Sequence, residues 1–316
     1  MNIAQPQSES LLRNCVWALS NFCRGKPQPA LEVVAPALPA LAHLLTSADK
    51  DVLTDAGWAV SYLSDGNDNR IETVVGAGVI PPLVAMLQHP TSSVVTPALR
   101  SLGNIVTGTD SQTQAVIDNG VIPILGHLLS NPKKSIRKEA CWTLSNIAAG
   151  NPNQMAAMCK CPGEEGGVIQ QMAGSEWDVQ KEAAWVVSNV ATASDSDTIA
   201  RLCSLGVIKP IVDLLNKADS KIVLVMLEAL EAILKTDDKG NYAIKIDEAD
   251  GLDAIENLQE HENEAVYEKA VHIIETYFGE NDEDENLAPN MQAGSAIFNF
   301  GVQPAALPAT GFNFAS

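Results

Sequence analysis

The sequence predicts an all-α fold, built as a solenoid of stacked helical repeats (an α-solenoid). Helical stretches that pair a large flat side chain with an amide or tyrosine four residues later recur along the chain. The first positions of these pairs, 17, 58, 100, 142 and 185, lie about 42 residues apart, and the same register continues to Glu228 and Lys269. Such a regular period is typical of repeats that stack on their neighbours rather than around one globular core.

The most informative stretch is EACWTLSNIAAG, residues 139–150. Apolar side chains recur in it at helical spacing, which predicts a helix with one buried face. Glu139, Trp142 and Asn146 follow at offsets of three and four, so they share another face of this helix. An amide can bond the backbone of an extended peptide, and an indole ring attracts Lys or Arg. This face therefore suits an extended basic peptide.

Equivalent positions in the other repeats extend this pattern into what we call the Trp–Asn surface. Its further members are Trp17, Asn21, Asp55, Trp58, Tyr62, Arg100, Asn104, Glu182, Trp185 and Asn189. Asparagine is a poor helix former, and packing gives no evident reason for it to recur, so the register favours a ligand surface over isolated core tryptophans. Arg100 stands where a tryptophan is expected, and we expect it to divide the surface into two sub-sites or to pair with an acid.

The chain divides into three regions. Residues 1–10 are polar and expected to be disordered, 11–278 to form the solenoid (a partial first repeat, then about six repeats), and 279–316 to be a disordered tail, first acidic and then rich in Gly, Pro and Phe-Asn-Phe. GVIPPLVAML, GVIPILGHLL and GVIKPIVDLL each predict a tight glycine turn before a helix. Within 155–180, MCKCPGEEGG indicates an enlarged loop and QQMAGSEW a shortened helix. The abrupt start without a polar cap suggests the C-terminal part of a longer protein.

Composition excludes several functional classes. The net charge is −19, and residues 237–286 hold 17 acidic residues against three lysines, which argues against nucleic acid or anionic membrane as partners and favours basic ligands. No apolar run is long enough to span a membrane. The six cysteines are expected to be reduced thiols, with no metal site and no cofactor. The five histidines are scattered without a nucleophile beside them, so we do not expect an enzyme.

The stretches WALSNFCRGK, GWAVSYLSDGN, LRSLGNIVTGTD, EACWTLSNIAAGN and KEAAWVVSNV resemble the C-terminal armadillo repeats of importin-α (karyopherin-α) over about residues 11–280. The resemblance implies a right-handed armadillo-repeat superhelix and an adaptor that shuttles between cytoplasm and nucleus. Its concave groove would bind nuclear localisation signals (NLSs) of cargo proteins. By this resemblance the minor NLS-binding site is complete, and it comprises Arg100, Asn104, Glu139, Trp142, Asn146, Glu182, Trp185 and Asn189.

The resemblance also implies further contacts. A residual part of the major NLS-binding site would comprise Trp17, Asn21, Asp55, Trp58 and Tyr62. An export receptor and nucleoporins would bind the C-terminal region, with Tyr277, Glu280, Asp282, Glu283, Asp284 and Glu285 as candidates for the export receptor. Importin-β is expected to bind the full-length parent but not this chain alone. Two alternatives stay open: a truncated importin-α acting as a decoy or regulator, and a catenin-like armadillo scaffold for other partners.

Overall fold

A computed structural model describes residues 9–159, 164–174, 176–237 and 240–279. The chain forms two units, residues 1–277 and residues 278–316, and of the second unit only Phe278 and Gly279 are described. The part of the chain that the structure describes is helical, with turns and short 3-10 segments between helices and no strand. None of its helices combines the length and the apolar character needed to cross a bilayer.

After α1, the helices follow one another in units of three. Their bounds are α1 Glu9–Cys23, α2 Leu31–Val34, α3 Leu38–Leu44, α4 Lys50–Ser64, α5 Asp68–Gly76, α6 Ile80–Met86, α7 Ser92–Ile105, α8 Asp110–Asp118, α9 Val121–Leu128, α10 Lys134–Ala148, α11 Pro152–Cys159, α12 Glu164–Gly174, α13 Trp177–Ala193, α14 Ser196–Ser204, α15 Ile208–Leu215, α16 Ser220–Lys235, α17 Asn241–Asp247, α18 Gly251–Asn257 and α19 Glu264–Tyr277. Every third helix, from α1 onward, is the long one of its unit.

These long helices, α1, α4, α7, α10, α13, α16 and α19, are the inner helices. Each packs against the next, so that they form one continuous layer, and the shorter helices pack behind them in the same order. This arrangement is an α-solenoid, as the period of the sequence predicted, and its three-helix units are those of the armadillo repeat that the resemblance implied. Residues about 42 positions apart therefore lie on adjacent inner helices, so that together they can form one continuous surface.

Local sequence explains where the helices begin. Gly78, Gly120 and Gly206 adopt left-handed backbone conformations, with φ of 75°, 74° and 82°, in the turns before α6, α9 and α15. Glycine alone tolerates this conformation without steric cost, so the predicted glycine turns are present. Side chains cap other helices: Asp49 accepts the backbone N–H of Asp51 at 2.9 Å before α4, and Thr109 opens a capping box at α8.

Two details differ from the sequence-based expectations. The first helix begins at Glu9, inside the stretch expected to be disordered; residues 1–8 lie outside the described residues. The predicted enlarged loop at 158–167 is wrong in extent, because α11 continues through Cys159 and α12 already begins at Glu164. Residues 160–163, between these helices, are outside the described part of the chain. The predicted short helix at 170–177 is also wrong in its bounds, because residues 170–174 are the end of α12 and Trp177 begins α13.

Cysteine thiols are buried among the helices in the described part of the chain. Cys23, Cys141 and Cys203 are buried and free. Burial raises the pKa of the Cys141 thiol to about 12, and those of Cys23 and Cys203 to about 11. Because the thiolate is the reactive species, these groups are poor nucleophiles and poor metal ligands at neutral pH.

Candidate peptide-binding surface

The inner helices bring the Trp–Asn surface together as one row. Trp17 lies on α1, Trp58 on α4, Arg100 on α7, Trp142 on α10 and Trp185 on α13, and each of these helices contacts the next. Inner helices in such contact run about 8–10 Å apart. An extended peptide advances about 3.3 Å per residue, so one step of the row spans about three peptide residues.

Trp142 lies on the backbone of the preceding repeat. A Cβ built at Gly103 of α7 would fall 2.8 Å from Cε3 of Trp142, and closer still to Cζ3, so the ring occupies the space that a side chain would need. The Arg100 guanidinium lies over the same ring, 5.5 Å from the ring centroid. Glycine at position 103 therefore permits the half-buried ring to lie between two inner helices.

Arg100 also forms an ion pair with Glu139. The carboxylate is 11% exposed and the guanidinium 47% exposed, so the pair lies at the boundary between core and solvent. Of the two ways expected for Arg100 to act, pairing with an acid is the one observed. The second carboxylate oxygen of Glu139 is buried and has no hydrogen-bond partner among the described residues.

Trp185 has a cation of its own from the following repeat. The Lys221 ammonium of α16 lies 5.3 Å from the centroid of this ring. Beside it, burial raises the pKa of the Glu182 carboxyl; nearby Lys138 lowers it and Glu139 raises it further. Trp142 and Trp185 are thus each in contact with one cation of this chain, and acids lie close by.

The asparagines fall into two structural classes. Asn104 is buried and donates to the backbone carbonyl of Ser61 at 2.9 Å, and Asn189 donates to that of Ser145 at 3.0 Å. Both bonds join adjacent inner helices. The view that packing gives asparagine no reason to recur is therefore wrong for these two positions, because each amide satisfies a carbonyl of the neighbouring repeat.

The other two asparagines bond within their own helices. Asn21 donates to the carbonyl of Trp17 at 2.9 Å, and Asn146 donates to that of Trp142 at 3.0 Å. In both cases the amide oxygen has no partner among the residues that the structure describes, so it remains able to accept an N–H from a ligand.

The N-terminal end of the surface is more open. Trp17 is 61% exposed, while Trp58 stacks on Tyr62 with ring centroids 6.1 Å apart and 22° between the planes. Burial and the neighbouring Asp51 raise the pKa of the Asp55 carboxyl. The residues predicted for the residual major site thus lie on two adjacent inner helices, α1 and α4.

At the C-terminal end of the solenoid, charged residues stand at the positions that tryptophans hold in earlier repeats. Lys269 of α19 stands at the tryptophan position and bonds Glu231 of α16 at 2.9 Å, and Lys235 also pairs with Glu231 at 2.9 Å. Tyr277 ends α19 and is half-buried, whereas Glu280, Asp282, Glu283, Asp284 and Glu285 lie outside the described residues. No group of metal ligands occurs in the described part of the chain.

Sequence reasoning missed two contributors to the surface. Gly103 could have been suspected as a glycine within a helical stretch, where it lowers helix stability and often marks a close approach. Lys221 stands seven residues before the tryptophan position of its repeat, where Asp51 and Asp178 stand in earlier repeats. Its own helix has no tryptophan that would have drawn attention to it. Both make their contacts across helices, about 36 to 39 residues apart in sequence.

Comparisons with known proteins agree with this architecture. The armadillo/beta-catenin-like repeat family matches residues 26–65, 67–107 and 109–149, and the atypical Arm repeat family matches 240–290. Among solved structures, a designed armadillo repeat protein in complex with the peptide (KR)4 has a TM-score of 0.70 and 29% identity, covering 76% of this chain and 99% of its own. An engineered protein reaches a TM-score of 0.78 at 26% identity, covering 88% of this chain and 67% of its own.

Curated relatives identify the family. Importin subunit alpha-2 of Arabidopsis thaliana is 52% identical over 96% of this chain, and Importin subunit alpha-1b of Oryza sativa subsp. japonica is 50% identical over 96%. The chain spans 59% and 58% of the lengths of these relatives. Both are named as importin subunits and neither name denotes an enzyme, in agreement with the prediction for this chain. The chain is therefore an armadillo-repeat protein that belongs to the importin-α family.

Proposed function

We propose that this chain acts as a nuclear import adaptor that binds the basic nuclear localisation signals of cargo proteins along its Trp–Asn surface. The observation that carries the proposal is the stacking of Arg100 on Trp142 and Lys221 on Trp185, at 5.5 and 5.3 Å from the ring centroids. Rings that take up cations of their own chain are suited to the Lys and Arg side chains of a ligand.

The acids and amides of the surface support the same ligand chemistry. The carboxylates of Glu139 and Glu182 lie close enough to act on each other, and their charge favours cations between Trp142 and Trp185. The Asn146 amide oxygen is available for a peptide N–H. The designed neighbour solved with (KR)4 shows that the fold is compatible with a basic peptide ligand in that protein.

The family resemblance extends the proposal to location and further partners. We propose that the chain shuttles between cytoplasm and nucleus and binds an export receptor, with nucleoporins as accessory partners. For these contacts we propose the C-terminal region, where Tyr277 is the one candidate residue within the described residues.

Titration calorimetry with a Lys/Arg-rich signal peptide tests the main proposal. We expect micromolar or tighter binding that weakens at least about tenfold, or about 1.4 kcal/mol, when Trp142 and Trp185 are both replaced by alanine. The matched control is Trp177→Ala, because Trp177 lies at the start of α13, outside the Trp–Asn surface, where Lys181 covers it at 4.8 Å.

Three results would contradict parts of this proposal. Equal binding by the double variant would move the site toward Trp17 and Trp58. Stronger binding of an acidic than of a basic peptide would favour the scaffold alternative. Absence of binding by any peptide would refute the surface as a ligand site.

A further inference from the structure

Lys221 differs from the other cations of the Trp–Asn surface because it has no acid to neutralise it. It is the second residue of α16 and is exposed, and its ammonium lies 5.3 Å from the centroid of the Trp185 ring. Within the described residues no carboxylate lies at salt-bridge distance from it. Arg100, in contrast, stacks on Trp142 and is paired with Glu139.

The register shows that this cation replaces an acid or a serine. Positions seven residues before the tryptophan position lie on nearly the same face of each inner helix, two turns away. From α4 to α16 they are Asp51, Ser93, Ser135, Asp178 and Lys221. At this position the acid Asp178 of α13 is therefore followed by a cation on α16.

A second position in the register changes at the same helix. Three residues before the tryptophan position, Asp55, Glu139 and Glu182 supply acids on α4, α10 and α13, whereas α16 has Val225. The acids nearest to Lys221 along α16 are the N-cap residue Asp219, which pairs with Lys181 at 2.8 Å, and Glu228, seven residues after Lys221 and about 10 Å farther along the helix. That separation is about one Debye length at physiological salt, so Glu228 compensates Lys221 only weakly.

We propose that Lys221 ends the part of the Trp–Asn surface that accepts basic ligand side chains. A ligand side chain that lies beyond Trp185, against α16, is favoured when it is acidic and disfavoured when it is basic. The ligand would be an extended peptide in which a basic cluster is followed, toward α16, by an acidic residue. This inference rests on the proposed function.

The contacts explain both halves of this preference. The Lys221 side chain can keep its methylene groups on the indole while its ammonium turns to a ligand carboxylate at the surface. A ligand cation at the same place would meet an ammonium without an acid within ion-pair distance. Because Lys221 is exposed, its charge should change ligand affinity only modestly, as charges at the edge of an interface do, and the change should depend on salt. Its main consequence is selectivity between ligands rather than total affinity.

Calorimetry with a peptide series tests the inference on the full chain. All peptides share one basic core, and Glu, Lys or Ala flanks the core at its N-terminal or its C-terminal end. For the unmodified protein we expect Glu to bind about two- to fivefold more tightly than Lys at one end of the core only, the end that lies against α16. The preference should shrink as salt is raised.

Variants of Lys221 then assign the preference to this side chain. We expect Lys221→Ala to abolish the difference between Glu and Lys flanks, and Lys221→Glu to reverse it. The matched control is Lys217→Ala, which removes the same charge from an exposed lysine in the turn before α16 and should keep the preference. Thermal unfolding of each variant verifies that the fold is intact.

The outcomes separate this inference from the proposed function. If the Ala-flanked core binds but neither end shows a preference, or if the preference survives in Lys221→Ala, the role assigned to Lys221 is refuted while the proposed function stands. If the core does not bind at all, the proposed function fails, and the inference fails with it.

Discussion

Replacing Gly103 with alanine tests the packing of Trp142 directly. The new Cβ would lie 2.8 Å from Cε3 of the indole, closer to Cζ3, and 3.0 Å from Oγ1 of Thr143, whereas ordinary contacts begin at 3.4 Å. The ring would have to move by roughly 0.6 Å or more, and it is rigid and half-buried. The backbone of α7 and the ring of α10 cannot both keep their positions.

The expected magnitude combines two opposing effects. Overpacking of this kind costs about 1–3 kcal/mol, and replacing a helical glycine with alanine returns about 1 kcal/mol. Because two ring carbons fall below 3.0 Å, we expect the upper part of the range and a net loss of about 1–2 kcal/mol in the free energy of unfolding. Displacement of the ring should also weaken binding of a basic peptide by about three- to tenfold.

Gly76→Ala is the matched control for this variant. Gly76 is the last residue of α5, and no atom lies within 4 Å of a Cβ at this position. The substitution should leave the protein equally stable or slightly more stable, with unchanged peptide affinity. Urea unfolding followed by circular dichroism, together with peptide calorimetry, measures both quantities. A Gly103→Ala protein as stable as Gly76→Ala, with the affinity of the unmodified chain, would refute the packing argument.

Two further predictions concern stability. Asn104→Ala should lower the free energy of unfolding by about 1–2 kcal/mol, because Asn104 is buried and its amide donates to the carbonyl of Ser61 on the neighbouring inner helix. Asn21→Ala should change the free energy of unfolding by less than about 0.5 kcal/mol, because its amide bonds only within its own helix. Urea unfolding compares the two variants, and equal losses would contradict the division of the asparagines into two classes. Burial raises the pKa of Glu231, but hydrogen bonds from Lys235 and Lys269 outweigh it and lower that pKa to about 2, below its usual 4.5. The contribution of Glu231 to stability is therefore present above pH 4.5 and lost as the pH falls toward 2. The melting temperature of Glu231→Gln should thus depend less on pH in this range than that of the unmodified protein. Parallel melting-temperature curves for the two proteins would contradict the role assigned to Glu231.

The period of the sequence was sufficient to predict an α-solenoid. Residues about 42 apart repeat the same helix face, and Gly78, Gly120 and Gly206 mark the turns where only a left-handed backbone fits. The region at 158–167 was harder to predict, because two of its glycines, Gly166 and Gly167, lie inside α12. A Cβ at Gly167 would lie 3.1 Å from Cδ1 of Leu129, so this glycine serves a close packing contact rather than a turn.

The placement of the candidate residues on adjacent inner helices was predictable, but their partners within the chain were not. Helical spacing places Trp142, Asn146 and Glu139 on one helix without knowledge of the structure. It cannot show that Asn104 and Asn189 bond a carbonyl of the preceding repeat, or that Arg100 approaches both Trp142 and Glu139. Those contacts join different repeats, and their geometry depends on how the inner helices pack.

The cations of this chain limit the length of the basic cluster that the C-terminal half of the surface can accept. Arg100 approaches Trp142 from the preceding repeat, and Lys221 approaches Trp185 from the following one. Between the two rings lies one helix step of about 8–10 Å, which corresponds to about three residues of extended peptide. Because unpaired Lys221 disfavours a further cation beyond Trp185, we expect this half of the surface to fit a short basic cluster, whereas the exposed Trp17 leaves the N-terminal end without such a limit.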